Sequence, residues 1–383
     1  MKIGIDIRNI GKKRTGDEVV FFNLVKNLAL IDAQNEYFLF TDILDESILQ
    51  EIRMSLGIEN KNNFEIISLK AKNKFDWNFS VVAKYLKKNP VDIYHTQYIL
   101  PFFVPKNIKL VTTIHDLSFL AYPEHIKFSD LAFLKILIPR SLKRATKIIA
   151  VSEFTKNEII KYYKINSEKI EVAQNAVGEN FLKSLTESES PFAQDIEKKY
   201  SLPKKFILYV GTMQPRKNLP LLIEAFAKVK NEIGETKLVL CGNRDAHNFD
   251  LKIDAKIKEF SLEKDVFFPG FIDERDKPAI FKLARVFCYP SLYEGFGIPI
   301  LEALASNVPV LTSNILPHLE VAQNCALFFD PLDSNDLCQK LIFITNNENS
   351  RNEAIQKGKI CVANFSWIEN AKKTLTIYQK TST

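Results

Sequence analysis

Short runs of β-branched and aromatic residues alternate with longer helical periodicities along the whole chain. In the first half, residues 2–8, 37–41, 64–69, 92–96, 109–115, 147–151 and 170–173 read as strands. In the second half the same pattern marks 206–211, 237–241, 266–268, 286–289, 308–312 and 327–329. The stretches between them repeat at the helical period. In 17–31, for example, Val20, Leu24, Leu28 and Ile31 fall on one face. Strand and helix in regular alternation predict parallel sheets covered by helices, an α/β chain.

The alternation fails once. Residues 182–203 read LKSLTESESPFAQDIEKKYSLP, polar, with two prolines and no strand pattern. A linker is therefore placed at 183–203. It separates a Rossmann-like domain at 1–182 from a second at 204–365. Residues 366–383 form a closing helix with Ser366 as its N-cap, placed to cross back to the first domain. The chain's 383 residues are too many for one hydrophobic core, which agrees with two domains. Open parallel sheets bind ligands beyond the carboxyl ends of their strands. Two such domains facing each other predict one cleft lined by those loops.

Composition narrows the class. With 46% hydrophobic and 26% charged residues the chain reads as soluble and globular. Only 12 glycines argue against glycine-rich linkers and repeats. A net charge of +6 suits an anionic small molecule or a lipid surface and falls far short of a nucleic-acid footprint. Cys241, Cys288, Cys325, Cys338 and Cys361 show no metal spacing and read as reduced, buried thiols. The start, MKIGIDIRNI, alternates like a strand rather than a leader, and no apolar run reaches the roughly 18 residues of a span. The expected location is cytoplasmic, at most peripheral on the inner face of a membrane.

Chemistry concentrates in 289–309, YPSLYEGFGIPILEALASNVP. A strand ends, a loop carries Glu294, Gly295, Phe296 and Gly297, and Pro299 opens a helix at its first position. The free N–H groups of such a first turn can meet a phosphate or a sugar hydroxyl. Glu294 and Glu302 supply carboxylates for vicinal hydroxyls. Taken singly, Glu302 is a charge complementing the helix dipole and Glu294 a solvated loop residue; the string as a whole points to function. Arg216 and Lys217 follow the first strand of the second half, before a helix that Asn218 can cap. Cations at a helix N-terminus oppose its dipole, and an anionic ligand between them resolves the conflict. His115, at a strand end beside Asp116, sits where α/β sites gather. His95 lies near the end of another strand, and either a packed or a functional role suits it. His125, His247 and His318 read as structural.

These segments resemble the retaining family-4 glycosyltransferases of the GT-B fold, mannosyltransferase-like members in particular. EGFGIPILEA is similar to the family's E-x7-E signature. Gly211-Thr212 with Pro215-Arg216-Lys217-Asn218 resembles its phosphate-binding loop, and His115-Asp116 its sugar-contacting histidine. Val151-Ser152-Glu153-Phe154-Thr155 and Gln174-Asn175-Ala176-Val177 match two further turns, in the family's order. The resemblance implies two Rossmann-like domains facing across a cleft, the first on the acceptor side. It implies that Gly211, Arg216, Lys217, Glu294, Gly295, Phe296, Gly297, Ile298 and Glu302 bind a nucleotide-sugar donor. Catalysis then falls to His115, Glu294, Arg216 and Lys217. The loop with Thr15 and Gly16 takes the phosphate or acceptor turn, although Thr15-Gly16-Asp17-Glu18 departs from the usual G-x-G-x-Y.

No D-x-D loop follows a strand and the histidines lack ligand spacing, so neither a metal nor a cofactor is expected. The cations are expected to stabilise the leaving group instead. The stretch 128–147 mixes Leu, Ile and Phe with Lys135, Arg140, Lys143, Arg144 and Lys147, a pattern of covering helices that also suits an anionic membrane. The predicted function is retaining transfer of a hexose, mannose from GDP-mannose, to a glycan or lipid-linked acceptor. A nonhydrolysing sugar-nucleotide epimerase and a catalytically silent nucleotide-sugar-binding protein are the alternatives.

Overall fold

The computed structural model describes residues 1–12, 16–184, 192–245 and 248–382. Thr15, His247 and positions 185–191 of the expected linker lie outside the described residues. The chain forms two units. One comprises Met1–Leu117, Phe128–Asn175 and Ser366–Thr383, the other Ser118–Lys127 and Ala176–Phe365.

The first unit holds β1 (Lys2–Asp6), β2 (Glu36–Thr41), β3 (Phe64–Ser68), β4 (Ile93–Gln97), β5 (Lys109–Ile114), β6 (Lys147–Ala150) and β7 (Ile170–Val172). They pair in parallel in the order β3-β2-β1-β4-β5-β6-β7. The second unit holds β8 (Phe206–Val210), β9 (Lys237–Cys241), β10 (Val266–Gly270), β11 (Val286–Tyr289), β12 (Val310–Ser313) and β13 (Leu327–Phe329). Their order, β10-β9-β8-β11-β12-β13, is again parallel throughout. Each strand coincides with one of the apolar runs, its ends differing by at most two residues. Every residue of β8, β11 and β12 is buried, as strands covered on both faces must be. All five cysteines are buried as well.

The division between units falls earlier than the polarity of 182–203 suggests. The chain enters the second unit at Ala176. Phe181 is buried and meets Phe281 edge-on at 5.7 Å, and the Asn180 amide donates to the Glu274 carbonyl at 2.8 Å. The helix Phe192–Lys199 lies in the stretch read as linker. Its end is tied to buried Asp276 by Lys199 at 2.6 Å and the Tyr200 hydroxyl at 2.7 Å. Polar residues there satisfy a buried carboxylate rather than water.

The first unit is completed from the far end of the chain. The helix Trp367–Ser382 buries Trp367, Ala371, Ile377 and Tyr378 and packs against the helix Gly16–Ile31 and against β4 and β6. The Asn370 amide donates to the carbonyls of Ala173 and Gln174, at 3.2 and 2.8 Å. Tyr378 Oη lies 2.6 Å from His95 Nδ1, and Thr113 Oγ1 lies 2.8 Å from Nε2. His95 is thus a fully buried core histidine with both nitrogens partnered. Tyr378→Phe leaves one of them unpaired in the core, and should cost about 1–3 kcal/mol of stability in a denaturant titration. An unchanged midpoint would mean that this hydrogen bond adds nothing to docking of the helix.

Candidate functional site

The second sheet reverses its strand order at β8, which has β9 on one side and β11 on the other. A crevice forms at such a switch point, between the loops that leave the two central strands. Here they are the loops after β8 and after β11, and both carry the residues singled out above. The Leu292 N–H donates to the Arg216 carbonyl at 2.8 Å and joins them.

Pro215–Lys217 forms a single 3₁₀ turn that points Arg216 and Lys217 toward the β11 loop. Asn218 follows at φ 57°, ahead of the helix Leu219–Val229. It makes no side-chain cap there, contrary to the sequence reading; its amide donates instead to the Pro331 carbonyl at 2.8 Å. The left-handed backbone turns the side chain away from the helix amides. A Cβ at Gly211 would lie 2.7 Å from Tyr209 Oη, whose hydroxyl donates to the Thr212 carbonyl at 2.6 Å, so only glycine fits this turn.

Glu294 gathers the cluster. One of its carboxylate oxygens receives the Lys217 ammonium and the Ser291 hydroxyl, the latter at 2.7 Å. The other receives Arg216 Nη1 at 3.3 Å, and the same guanidinium nitrogen donates to the Tyr293 carbonyl at 3.2 Å. Glu294 and Lys217 are both buried. Burial alone would raise the carboxyl pKa; Lys217 and Arg216 outweigh it and hold Glu294 well below the usual carboxylate range. Glu294 is therefore no solvated loop residue. The anion that meets the two cations in this structure is Glu294 itself.

Gly297, at φ 112°, stands before the helix Ile298–Ala305, with Pro299 second in the helix rather than first. A Cβ on Gly297 would come within 3.2 Å of Ile300 Cδ1. Phe296 is buried and contacts Phe365 edge-on at 5.8 Å. Glu302 lies one turn into the helix, buried. Its carboxyl pKa is raised by burial, against the opposing effect of Lys277, with Glu274 adding to the rise. The charges nearest Glu302 are thus different from those around Glu294.

In the first unit, His115 directly follows β5 and is buried. Its Nε2 lies 2.8 Å from Gln97 Oε1 at the end of β4 and 3.9 Å from the Asp17 carboxylate. Facing an amide oxygen, Nε2 carries the ring proton. Tyr98, at φ 56°, sets its ring 5.5 Å from His115 and accepts from the Asp116 N–H at 3.3 Å. Gly16 opens the helix Gly16–Ile31, and a Cβ there would meet nothing within 4 Å among the described residues.

The structure adds three residues to those read from the sequence. Ser291 precedes Glu294 by one turn of the same loop. Tyr289, read only as strand interior, places its hydroxyl 2.9 Å from Lys217 Nζ. His318, read as structural, is fully buried with its ring 5.3 Å from that of Tyr289. Thr312 spends its one hydroxyl hydrogen on the Tyr289 carbonyl at 3.0 Å, so His318 Nδ1, 2.8 Å from the same oxygen, carries the ring proton. Nε2 is left as an acceptor without a partner among the described residues, 3.7 Å from where a Cβ of Gly297 would stand. Only the packing of β11 against β12 brings His318 here, and nothing in its local sequence announces it.

Residues 15–180 match the family described as Glycosyltransferase Family 4, and residues 192–360 match Glycosyl transferases group 1. The O-antigen chain mannosyltransferase B of Escherichia coli is 30% identical over 281 residues, 73% of this chain and 72% of that protein. The O-antigen chain mannosyltransferase RfbU of Salmonella typhimurium is 31% identical over 223 residues, 58% of this chain and 56% of that one. A glycosyltransferase from Rickettsia africae ESF-5 shares the fold, with a TM-score of 0.74 over 99% of this chain and 98% of that one at 21% identity. Two parallel-sheet α/β units of this kind are the GT-B fold of glycosyltransferases. The chain belongs to family 4 of that class, and is a nucleotide-sugar-dependent hexosyltransferase.

The two buried histidines make the fold sensitive to mild acid. Burial pushes His318 down to about 4, Glu294 opposing, and pushes His95 down to about 3. Unfolded histidine titrates near 6.5, so below that pH the unfolded chain binds more protons than the folded one. The stabilisation from keeping each ring neutral is complete above about pH 6.5 and is lost as pH falls toward 4. Each ring should contribute a slope of about 1.4 kcal/mol per pH unit. Denaturant midpoints measured between pH 6.5 and 5 should fall less steeply in His318→Gln than in the parent. Parallel slopes would show that His318 takes up its proton without unfolding.

Proposed function

We propose that this enzyme transfers mannose from GDP-mannose to a glycan or lipid-linked acceptor, with retention of the anomeric configuration and without a metal ion. The observation that carries the donor reading is the Glu294 carboxylate held between Lys217 and Arg216 at the switch point. Loops that gather two cations around one anion are suited to a second, the donor diphosphate. Arg216 holds a phosphate in its fork, Lys217 adds a point charge, and Gly211 keeps the approach bare. These cations neutralise the charge developing on the departing nucleoside diphosphate, the work a divalent ion does elsewhere. Glu294, Gly295, Phe296, Gly297 and Ile298 meet the sugar, and Glu302 accepts hydrogen bonds from the ribose. His115 contacts the transferred sugar, and the turn at Thr15-Gly16 serves phosphate or acceptor.

The choice of mannose follows the relatives, two of which are named O-antigen chain mannosyltransferases. That kinship also favours a cell-surface polysaccharide as the product. In the retaining step the acceptor oxygen bonds to the anomeric carbon on the face that the diphosphate leaves. The carbon–phosphate oxygen bond breaks, and the acceptor's proton passes to the departing phosphate. Transfer from GDP-mannose should persist in excess EDTA, and NMR of the product should show the donor's α configuration. Arg216→Ala should weaken GDP binding by about 1.5–3 kcal/mol and lower turnover as well, whereas His115→Ala should lower turnover chiefly. Rescue of an EDTA-silenced enzyme by Mg²⁺, or a β-linked product, would refute this mechanism.

We also place the protein in the cytoplasm, on the inner face of the membrane. No helix of the described residues is long and apolar enough to cross a bilayer. The helix Phe128–Arg144 exposes Phe128 and Ile136 beside Lys135, Arg140 and Lys143, a pairing suited to an anionic surface. The protein should float with vesicles containing phosphatidylglycerol at low salt and be released by high salt. Equal flotation with neutral vesicles, or none with either, would remove the membrane from this account.

A further inference from the structure

We propose that Tyr289 is a positioning residue: its hydroxyl fixes the ammonium of Lys217 in the place where a donor diphosphate takes it up. The inference rests on the assignment of Lys217 to the diphosphate.

The lysine stem is long and flexible, and a point charge at its end is useful only where something holds it. The Lys217 ammonium is buried, and its partners include two of different kinds, the Glu294 carboxylate and the Tyr289 hydroxyl. An arriving phosphate competes with Glu294, because both are anions seeking the same protons. Tyr289 is uncharged and does not compete. It can keep its hydrogen bond whether the other partner is a carboxylate or a phosphate, and so preserves the position of the charge through the exchange.

The ring itself is immobile. Tyr289 ends β11, is 2% exposed, and stacks between Tyr209 at 5.9 Å and Phe287 at 5.7 Å, each inclined by 24°. The His318 ring lies against it and Thr312 bonds its carbonyl. The ammonium stands 5.1 Å from the ring centroid, on the hydroxyl side of the ring. Burial, with Glu294 adding to it, keeps the phenol protonated far above its usual range.

The test compares GDP with GMP by calorimetry, with UDP and UMP in parallel, on the whole protein. Lys217→Ala is the reference and should lower the preference for diphosphate over monophosphate more than any other variant here, Arg216 keeping part of it. Tyr289→Phe removes one oxygen and keeps the stacked ring. It should lower the same preference about tenfold, with monophosphate affinity unchanged and kcat for transfer reduced in step. Ser291→Ala removes a bond to Glu294 but none to Lys217 and should lower the preference much less. If Tyr289→Phe leaves the preference intact, or weakens GDP and GMP equally, the hydroxyl is only structural and the inference is overturned. A loss in Ser291→Ala as large as in Tyr289→Phe would move the effect to Glu294 and overturn it too. If Lys217→Ala itself retains the preference in full, the assignment of this loop to the diphosphate falls first.

Discussion

A carboxylate buried with one cation, and bonded to a second that is half-buried, constrains the second unit at the ends of β8 and β11. Desolvating such charges is expensive, and the arrangement is tolerable only because each has partners in place. Lys217 needs Glu294 and Tyr289; Glu294 needs Lys217, Arg216 and Ser291; Arg216 shares its nitrogen with the Tyr293 carbonyl. Satisfying all of them fixes the two loops against each other, and the parallel sheet beneath supplies the rigid base. Removing Glu294 leaves the buried Lys217 without the carboxylate that balances its charge. The cluster is therefore both a structural tie and a reservoir of positive charge that a ligand anion can draw on.

The first unit uses uncharged contacts for the same end. His95, Thr113 and Tyr378 join two central strands to the closing helix through a neutral ring. His115, on the neighbouring strand's end, is steadied by Gln97 while its backbone carbonyl accepts the Thr155 hydroxyl at 3.3 Å. The two histidines sit close in sequence terms to similar strand ends, yet one is sealed in the core and the other lies at the carboxyl edge where ligands meet parallel sheets.

The strands were legible because a strand covered on both faces must be a continuous apolar run, and few other segments of this chain look like one. The motif loops were legible because Gly297 and the Arg216-Lys217 pair break local rules, the first by its backbone and the second by placing cations before a helix. Interactions across the sheet were not. Ser291 was hidden inside a motif read for its glutamates, Tyr289 inside a strand read for its hydrophobicity, and His318 at a distance only the β11–β12 pairing closes. The division of the chain was misjudged for a related reason: charges at 192–203 suggested solvent, whereas Lys199 and Tyr200 serve Asp276. Polarity reveals what a residue needs, not who supplies it. That is fixed by topology.

The closing helix also carries a consequence for how the protein is made. Residues 366–382 complete the first unit but follow the whole of Ala176–Phe365, about 190 residues, out of the ribosome. At roughly 5–20 residues per second, that interval is on the order of 10–40 s. Throughout it, the apolar side of the helix Gly16–Ile31 and the Nδ1 atom of His95 lack their final cover. The second unit, by contrast, has nearly all of its sequence in one stretch and can settle while the first still waits. Newly made chains thus pass through a stage with one finished half and one open one, a window in which chaperones or a sticky neighbour can reach a surface the mature enzyme never shows.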